Sequence, residues 1–156
     1  MGVTVLAVAL TSLSASLAYP SPASASVAKT GAAARHCIED VDAGRVRCFG
    51  SSRGADAAIP ADRVRLGKFF DGRDYQGASF SLYGAKTCRH DNGDDYSPYT
   101  LSNEWTNRIR SLIPEGNCYL TLRSAPDGQG GSSPAYKTGA ASLGAWDRSS
   151  KSVTIG

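Results

Sequence analysis

Short apolar runs, separated by turn-forming residues, fill the sequence from Cys37 to its end. None of these runs keeps the three- and four-residue apolar spacing of a long amphipathic helix. Clusters of Gly, Ser, Asp, Asn and Pro interrupt them at short intervals. This pattern predicts an all-β domain with many turns. Residues 51–62 are predicted to be a connector with one helical turn.

The N-terminal part has a different composition. An apolar, small-residue run, VTVLAVALTSLSASLA, precedes YPSPASASVA, and it is shorter than a typical membrane-spanning helix. Ala23-Ser24-Ala25 fits a signal-peptidase site, which predicts a signal peptide over 1–25, a flexible tail over 26–36 and a secreted protein. Ser16-Leu17-Ala18 is a second candidate site, and an uncleaved anchor is the alternative. No Lys or Arg precedes the run, so a true start further upstream is a further hypothesis.

Four cysteines follow the predicted cleavage site, namely Cys37, Cys48, Cys88 and Cys118. An even number in an exported chain predicts two disulfides, and four cysteines allow three connectivities. The segment CIEDVDAGRVRC resembles a hairpin whose ends meet, which favours Cys37–Cys48 and Cys88–Cys118. A zinc site is disfavoured because the sequence has no C-x-x-C pair and no matching histidine spacing.

The formal net charge is +3, and basic residues alternate with acidic ones without forming a basic run. A nucleic-acid-binding surface normally shows clustered Lys and Arg, so a mixed, solvated surface is the expectation. We therefore expect no nucleic-acid partner, no membrane association after signal cleavage, and a monomer.

A repeat begins at Val64. Trp105 and Trp146 are 41 positions apart, as are Ser111 and Ser152, whereas Phe70 and Leu122 are 52 apart. The halves therefore match at their ends, and the first is longer in the middle, which predicts a long surface loop over 89–103. Two such units predict a pair of four-stranded Greek keys packed as one sandwich over 64–156, preceded by a disulfide hairpin and connector over 37–63.

These residues resemble the Greek-key signature of the βγ-crystallin superfamily. In the first half the pattern begins with an aromatic and continues with a hairpin that contains a second aromatic and a glycine. An inward strand position and a closing glycine follow. The later segments add two tryptophans and a serine. The matching residues are Phe70, Tyr75, Gly77, Phe80, Gly84, Trp105, Ser111 and Trp146. The second half is looser, with Leu122 at the first aromatic, Asp127 near the second, Gly130 or Gly131 as the glycine, and a one-residue insertion.

The resemblance implies calcium stretches of pattern N/D-N/D-x-x-S/T-S, here residues 106–111 and 147–152. Arg110 and Lys151 replace the S/T oxygen, and a cation there repels Ca²⁺. The family pattern pairs the second stretch with Asp71, whereas Arg123 stands in the corresponding place for the first. No cofactor is therefore required, and a weak Ca²⁺ site from Asp71, Asp147 and Ser152 is the remaining expectation. Residues 90–95, HDNGDD, lack EF-hand spacing and are predicted to be a solvated acidic turn.

The layout is most similar to secreted actinobacterial relatives grouped with the streptomycete metalloproteinase-inhibitor family. That grouping implies a peptidase inhibitor with an extracellular protease as its partner. The candidate contact loops are 89–103, with Tyr96 and Tyr99, and 124–135. The alternatives are an extracellular calcium-binding structural or stress protein and a small antimicrobial factor. An enzyme is not expected, because the sequence contains no H-E-x-x-H, G-x-S-x-G or P-loop pattern.

Overall fold

The computed structural model describes residues 1–2, 35–89 and 94–156. The predicted signal peptide from residue 3, the predicted tail up to residue 34, and residues 90–93 of the acidic turn lie outside these residues. The strands are β1 His36–Asp40, β2 Arg45–Phe49, β3 Val64–Phe70, β4 Ser79–Gly84, β5 Tyr96–Thr100, β6 Ser111–Pro114, β7 Leu120–Arg123 and β8 Ser152–Ile155. Helix α1 spans Ser52–Ala57, and a 3-10 helix spans Gly144–Trp146. No described helix is long and apolar enough to cross a membrane.

The strands form two sheets. One has five strands in the order β2-β1-β4-β3-β6, and the other has three in the order β5-β8-β7. β5 lies inside the segment 89–103, so the prediction of a loop over that whole range is wrong at Tyr96–Thr100. It pairs with β8, so the first Greek key lends a strand to the second sheet. In return, Ala140 of the second half forms a bridge with Leu112 of β6. The two sheets confirm the predicted all-β sandwich, and the exchange of segments between the halves is a feature that the sequence pattern did not predict.

The N-terminal hairpin is a part of the larger sheet. β1 pairs antiparallel with β2 and parallel with β4, so it continues the sheet beyond the first Greek key. Cys37 lies directly opposite Cys48, and the two form a disulfide. Cys88–Cys118 is the second bridge, so both predicted pairings are confirmed.

The main core lies between the two sheets. Its fully buried side chains include Leu66, Phe69, Leu82, Leu112 and Leu120. The Phe80 ring stacks on Trp105 with centroids 5.5 Å apart, which joins β4 to the loop before β6. Trp146 is half-buried and packs against the same core.

A smaller core covers the outer face of the five-stranded sheet. Ile38, Ala55 and Tyr83 are buried there, with Phe49 packed against them. Helix α1 forms this lid, and it begins at Ser51, whose Oγ accepts a hydrogen bond from Gly54 N at 3.1 Å. The Lys68 ammonium lies below the helix and donates to both carboxylate oxygens of Asp56, at 2.9 and 2.8 Å. The Lys68 side chain is 8% exposed and that of Asp56 35%, so this charge-assisted pair joins the helix to β3 at the rim of the small core.

The two Greek-key hairpins align with a uniform shift, which corrects the predicted register. Phe70 pairs with Ser111, and Arg123 holds the same place opposite Ser152. Asp74, Tyr75 and Gly77 have positive φ in the first hairpin, as Asp127, Gly128 and Gly130 do in the second. Arg123, and not Leu122, therefore takes the place of the first aromatic, and no one-residue insertion is needed. The place that corresponds to Asp71 belongs to Ser124, and not to Arg123 as predicted, because Ser124 Oγ accepts from Gly131 N as Asp71 Oδ1 accepts from Ala78 N.

Candidate functional site

The hairpin between β3 and β4 is held closed by Asp71. Its Oδ1 accepts a hydrogen bond from Ala78 N at 2.8 Å, and the Phe70 and Tyr75 rings meet edge to face with centroids 5.8 Å apart. Gly77 lies inside this turn with φ +85, where a side chain would meet Asp71 Oδ1. Ser111 ties the hairpin to β6, because its Oγ donates to Gly72 O at 2.7 Å and accepts from Tyr75 N at 3.1 Å.

The other oxygen of Asp71 is bound by an arginine. Arg108 donates from Nη2 and Nε to Asp71 Oδ2, at 2.7 and 3.1 Å. The same guanidinium lies over the Trp105 ring, with Cζ 5.0 Å from the centroid. Arg108 belongs to the first calcium-type stretch, so a guanidinium group of that stretch binds the Asp71 carboxylate of the hairpin.

Asp147 opens the second stretch and is bound by two more arginines. Arg110 donates from Nε to Oδ1 at 3.0 Å, and Arg73 donates from Nη2 to Oδ2 at 2.9 Å. The hydrogen bond from Arg110, and then that from Arg73, holds the pKa of Asp147 below its usual value of 3.8. We call Asp71, Arg73, Arg108, Arg110 and Asp147 the arginine–aspartate cluster.

The three predicted calcium ligands all have internal partners. Asp71 and Asp147 bind arginines, as described above. The buried Ser152 Oγ donates to Ala125 O at 2.6 Å and accepts from Gly128 N at 3.0 Å, which ties the second hairpin to β8. Within the described residues no group of three or more His, Cys, Asp or Glu side chains is arranged to hold a metal ion. Each predicted oxygen ligand therefore already has a donor, and at the two carboxylates a bound cation would compete with guanidinium groups.

The two predicted contact loops meet on one surface. Thr100 Oγ1 donates to Asp127 Oδ1 at 2.6 Å and accepts from Asp127 N at 2.8 Å. Gly128 packs so closely on Pro98 that a Cβ would lie 3.0 Å from the proline ring. We call Ser97, Pro98, Thr100 and Asp127 the loop face; all four are exposed and they line a depression of about 470 Å³.

Tyr96 and Tyr99 support the loop face from beneath. Tyr96 is 8% exposed, and its hydroxyl donates to Lys86 O and accepts from Lys86 N. The Tyr99 hydroxyl donates to the buried carboxylate of Glu39 on β1. Burial raises the pKa of both hydroxyl groups and also that of Glu39. Both tyrosines also line the depression, Tyr96 as a buried and Tyr99 as a half-buried side chain, whereas their neighbours Ser97, Pro98 and Thr100 are exposed.

The acidic turn is closed at its base. Arg89 N donates to Asp95 Oδ2 at 2.8 Å, and its Nε donates to Oδ1 at 3.0 Å. The backbone hydrogen bond from Arg89 is the main cause that lowers the pKa of Asp95. One end of the predicted contact loop is thereby anchored next to the Cys88–Cys118 disulfide.

One serine and one histidine come together in a way that the sequence did not indicate. His36 Nδ1 lies 2.9 Å from Ser79 Oγ. Ser79 is 1% exposed, and burial is the main cause that lowers the pKa of His36. A nucleophile needs access to its substrate, so this pair joins β1 to β4 structurally and gives no support to a hydrolase.

Sequence reasoning missed Arg73 and Arg108 as partners of the predicted calcium ligands. Their signal was present, because each arginine lies within a predicted ligand segment, two residues after Asp71 and one after Asn107. The folded chain brings Arg108 to Asp71 within the first half and Arg73 to Asp147 across the two halves.

Comparison with solved structures finds βγ-crystallin domains. The N-terminal domain of protein S has 17% identity and a TM-score of 0.45, over 58% of this chain and 93% of that one. A βγ-crystallin domain from Clostridium beijerinckii has 21% identity and a TM-score of 0.44, over 58% and 95%. One from Flavobacterium johnsoniae has 16% identity and a TM-score of 0.43, over 58% and 92%. No protein-family model matches the sequence, and no curated protein matches it.

Proposed function

We propose that this chain is a secreted, non-enzymatic binding protein of βγ-crystallin type that maintains its fold without calcium. The observation that supports this proposal is the arginine–aspartate cluster. Arg108 and Arg110 form ion pairs with Asp71 and Asp147, the two carboxylates that the resemblance assigns to calcium. Two disulfides brace the same domain, and disulfides form in oxidising compartments such as the extracellular space.

Electrostatics disfavours the calcium-binding alternative. Ca²⁺ requires six to eight oxygen ligands, whereas each predicted carboxylate here is already bound by one or two guanidinium groups. An arginine that stays in place repels the ion by several kcal/mol for each unit of charge at about 4 Å and an effective dielectric constant of about 20. We therefore expect no change of melting temperature when Ca²⁺ is added to the millimolar range.

A calorimetric comparison of two proteins tests this expectation. The parent chain and Asp147→Ala are melted with Ca²⁺ and with EDTA. The proposal expects Asp147→Ala to lower the melting temperature equally in both buffers, because it removes an ion pair and not a metal ligand. A calcium-dependent rise in the parent that Asp147→Ala abolishes would establish the calcium-binding alternative instead.

We further propose that the loop face is the contact surface for an extracellular metalloprotease. Pro98 limits the local backbone, the Thr100–Asp127 hydrogen bonds join the two loops, and Tyr99 anchors β5 to Glu39. A surface held in this way loses little conformational entropy on binding, and that property favours tight inhibitors. The exposed side chains Ser97, Pro98 and Thr100 supply contacts to a cleft.

Titration of a small metalloprotease such as thermolysin tests the protease assignment. The full chain should reduce hydrolysis of a dye-labelled peptide with saturable, one-to-one behaviour. Ser97→Arg should weaken inhibition at least about tenfold, because it places a long charged side chain on an exposed position of the loop face. Thr138→Arg is the matched control: Thr138 is also exposed, and its neighbour Gly139 packs on Tyr75, away from the loop face. Lack of inhibition, or equal inhibition by both variants, would refute this role for the face.

A further inference from the structure

Strand β2 is an open edge of the five-stranded sheet. It is hydrogen-bonded as a strand only to β1 in the part of the chain that the structure describes. The other edge strands are partly paired or irregular. Ala140 forms a bridge with β6, and Ser132 and Tyr136 form bridges with β7. β5 contains Pro98 and an irregular register. An edge strand presents alternate N–H and C=O groups outward, which makes β2 a template for another extended segment.

The side chains of β2 alternate in chemistry. Arg45 and Arg47 lie on one face of the strand and Val46 on the other, since successive residues point to opposite sides. All three are exposed, and Val46 at 52% is the one large hydrophobic side chain described as exposed besides Met1. Next to the arginine face is a depression of about 520 Å³, lined also by Pro60 and Tyr83.

This edge is held rigid. The disulfide of Cys48 fixes β2 to β1, and Phe49 packs on the small core below α1. The Arg47 guanidinium donates to the carbonyl of Ala58, at the end of the helix. A preformed edge needs little ordering before a second strand adds to it.

Charge decides between the possible occupants. A second copy pairing antiparallel about Val46 would place Arg45 opposite the second copy's Arg47, twice, and like charges directly opposite are destabilising. Residues 3–34 of this chain contain no Asp or Glu, so the N-terminal segment offers nothing to the two arginines. An acidic strand with carboxylates at alternate positions would match both Arg45 and Arg47.

We propose that β2 binds an extended acidic segment of a partner protein by strand addition. Backbone hydrogen bonds along β2 supply affinity, and carboxylates at every second position pair with Arg45 and Arg47. The intervening positions place apolar side chains over Val46. Asp40, on the same rim, is paired with Arg63 at 3.8 Å, whereas the exposed Asp62 opposes an acidic ligand. This proposal is independent of the loop face, which lies on another strand.

Fluorescence anisotropy with the full chain tests the proposal. The probe is a labelled synthetic peptide of alternating Asp and Val; a Lys-Val peptide of the same length is its control. The Asp-Val probe should bind with salt-sensitive affinity, and the control should not. Arg45→Glu/Arg47→Glu should weaken binding at least about tenfold, whereas Arg45→Lys/Arg47→Lys should stay within about threefold. Asp62→Asn should strengthen binding.

Backbone pairing is tested separately on the unmodified protein. In a strand, alternate N–H groups point to opposite edges, so N-methylation of one alternate set of probe residues should abolish binding, while methylation of the other set should not. If N-methylation of either set has the same effect on binding, charge attraction alone explains the interaction, and strand addition is overturned. Absence of probe binding at millimolar concentration would overturn the proposal, and so would a dimer that Arg45→Glu/Arg47→Glu does not weaken. Variants that bind less are accepted only when their urea midpoints match that of the parent.

Discussion

Replacement of Gly77 by alanine tests whether Asp71 closes the first hairpin. Gly77 has φ +85, and a Cβ there would overlap Asp71 Oδ1 and lie 3.4 Å from Gly72 N. The left-handed backbone alone costs an L-residue about 1–2 kcal/mol. Displacing Asp71 also weakens its bonds to Ala78 N and Arg108, and bonds to a charged group are each worth about 1.5–3 kcal/mol.

The expected total loss is about 3–4 kcal/mol of the free energy of unfolding, because the side chain of Asp71 can move part of the way. In a domain of this size it corresponds to a fall of about 12–16 °C in melting temperature. Urea unfolding with the disulfides intact measures the loss directly. The matched control is Gly44→Ala, since Gly44 has φ +62 but nothing within 4 Å of a Cβ. The control should lose only the backbone part, about 1–2 kcal/mol.

A double-mutant cycle separates overlap from backbone strain. In the Asp71→Ala background the carboxylate is gone, so Gly77→Ala should cost no more than Gly44→Ala does in the parent. Equal losses of free energy for Gly77→Ala and Gly44→Ala in the parent would rule out overlap with Asp71 as the cause. A Gly77→Ala penalty that is unchanged after Asp71 is removed would rule it out as well.

Three further predictions concern other parts of the structure. Burial raises the folded-state pKa of Glu39 above 4.5, so ionisation of Glu39 lowers stability as pH rises from the unfolded-state to the folded-state pKa. Glu39→Gln should therefore raise the urea midpoint at pH 7 and not at pH 4. A lower midpoint at pH 7 would contradict this. Hydrogen bonds from Arg110 and Arg73 lower the pKa of Asp147 from 3.8, so the ionised side chain stabilises the fold above that pH and loses this effect below its folded-state pKa. Asp147→Asn should lower the free energy of unfolding by about 1 kcal/mol at pH 6, and the difference from the parent should vanish in strong acid. Removal of Cys37–Cys48 should cost about 3 kcal/mol and removal of Cys88–Cys118 about 4, because the second closes 30 residues against 11; the reverse order of urea midpoints would contradict the loop-entropy account.

Local sequence was sufficient for the class of fold and for the disulfides. Glycines with positive φ, an aromatic pair and short apolar runs are local features, and they predicted the hairpin of Phe70 to Gly77 and the all-β architecture. The Cys37–Cys48 pairing was predictable for the same reason, because two cysteines that flank a tight hairpin have to meet.

Tertiary contacts decided that β4 is buried on both faces. Phe80 was predicted as an inward position, and in the structure every residue of β4 is buried. The N-terminal hairpin pairs along β4, and α1 covers the outer face above Tyr83. Burial of that face depends on contacts with residues some forty positions away, which alternation within a strand does not record.

The sequence by itself determined the two Greek keys, the two disulfides and the replacement of calcium-ligand positions by Arg110 and Lys151. Only the tertiary structure decided which carboxylate each arginine holds: Arg108 binds Asp71 within the first half, whereas Arg73 and Arg110 reach across to Asp147 of the second half. It also decided that Tyr99 points inward to Glu39 and that β2 is an open edge. Those outcomes depend on long-range packing, and side chains far apart in sequence interact only after both halves have folded together.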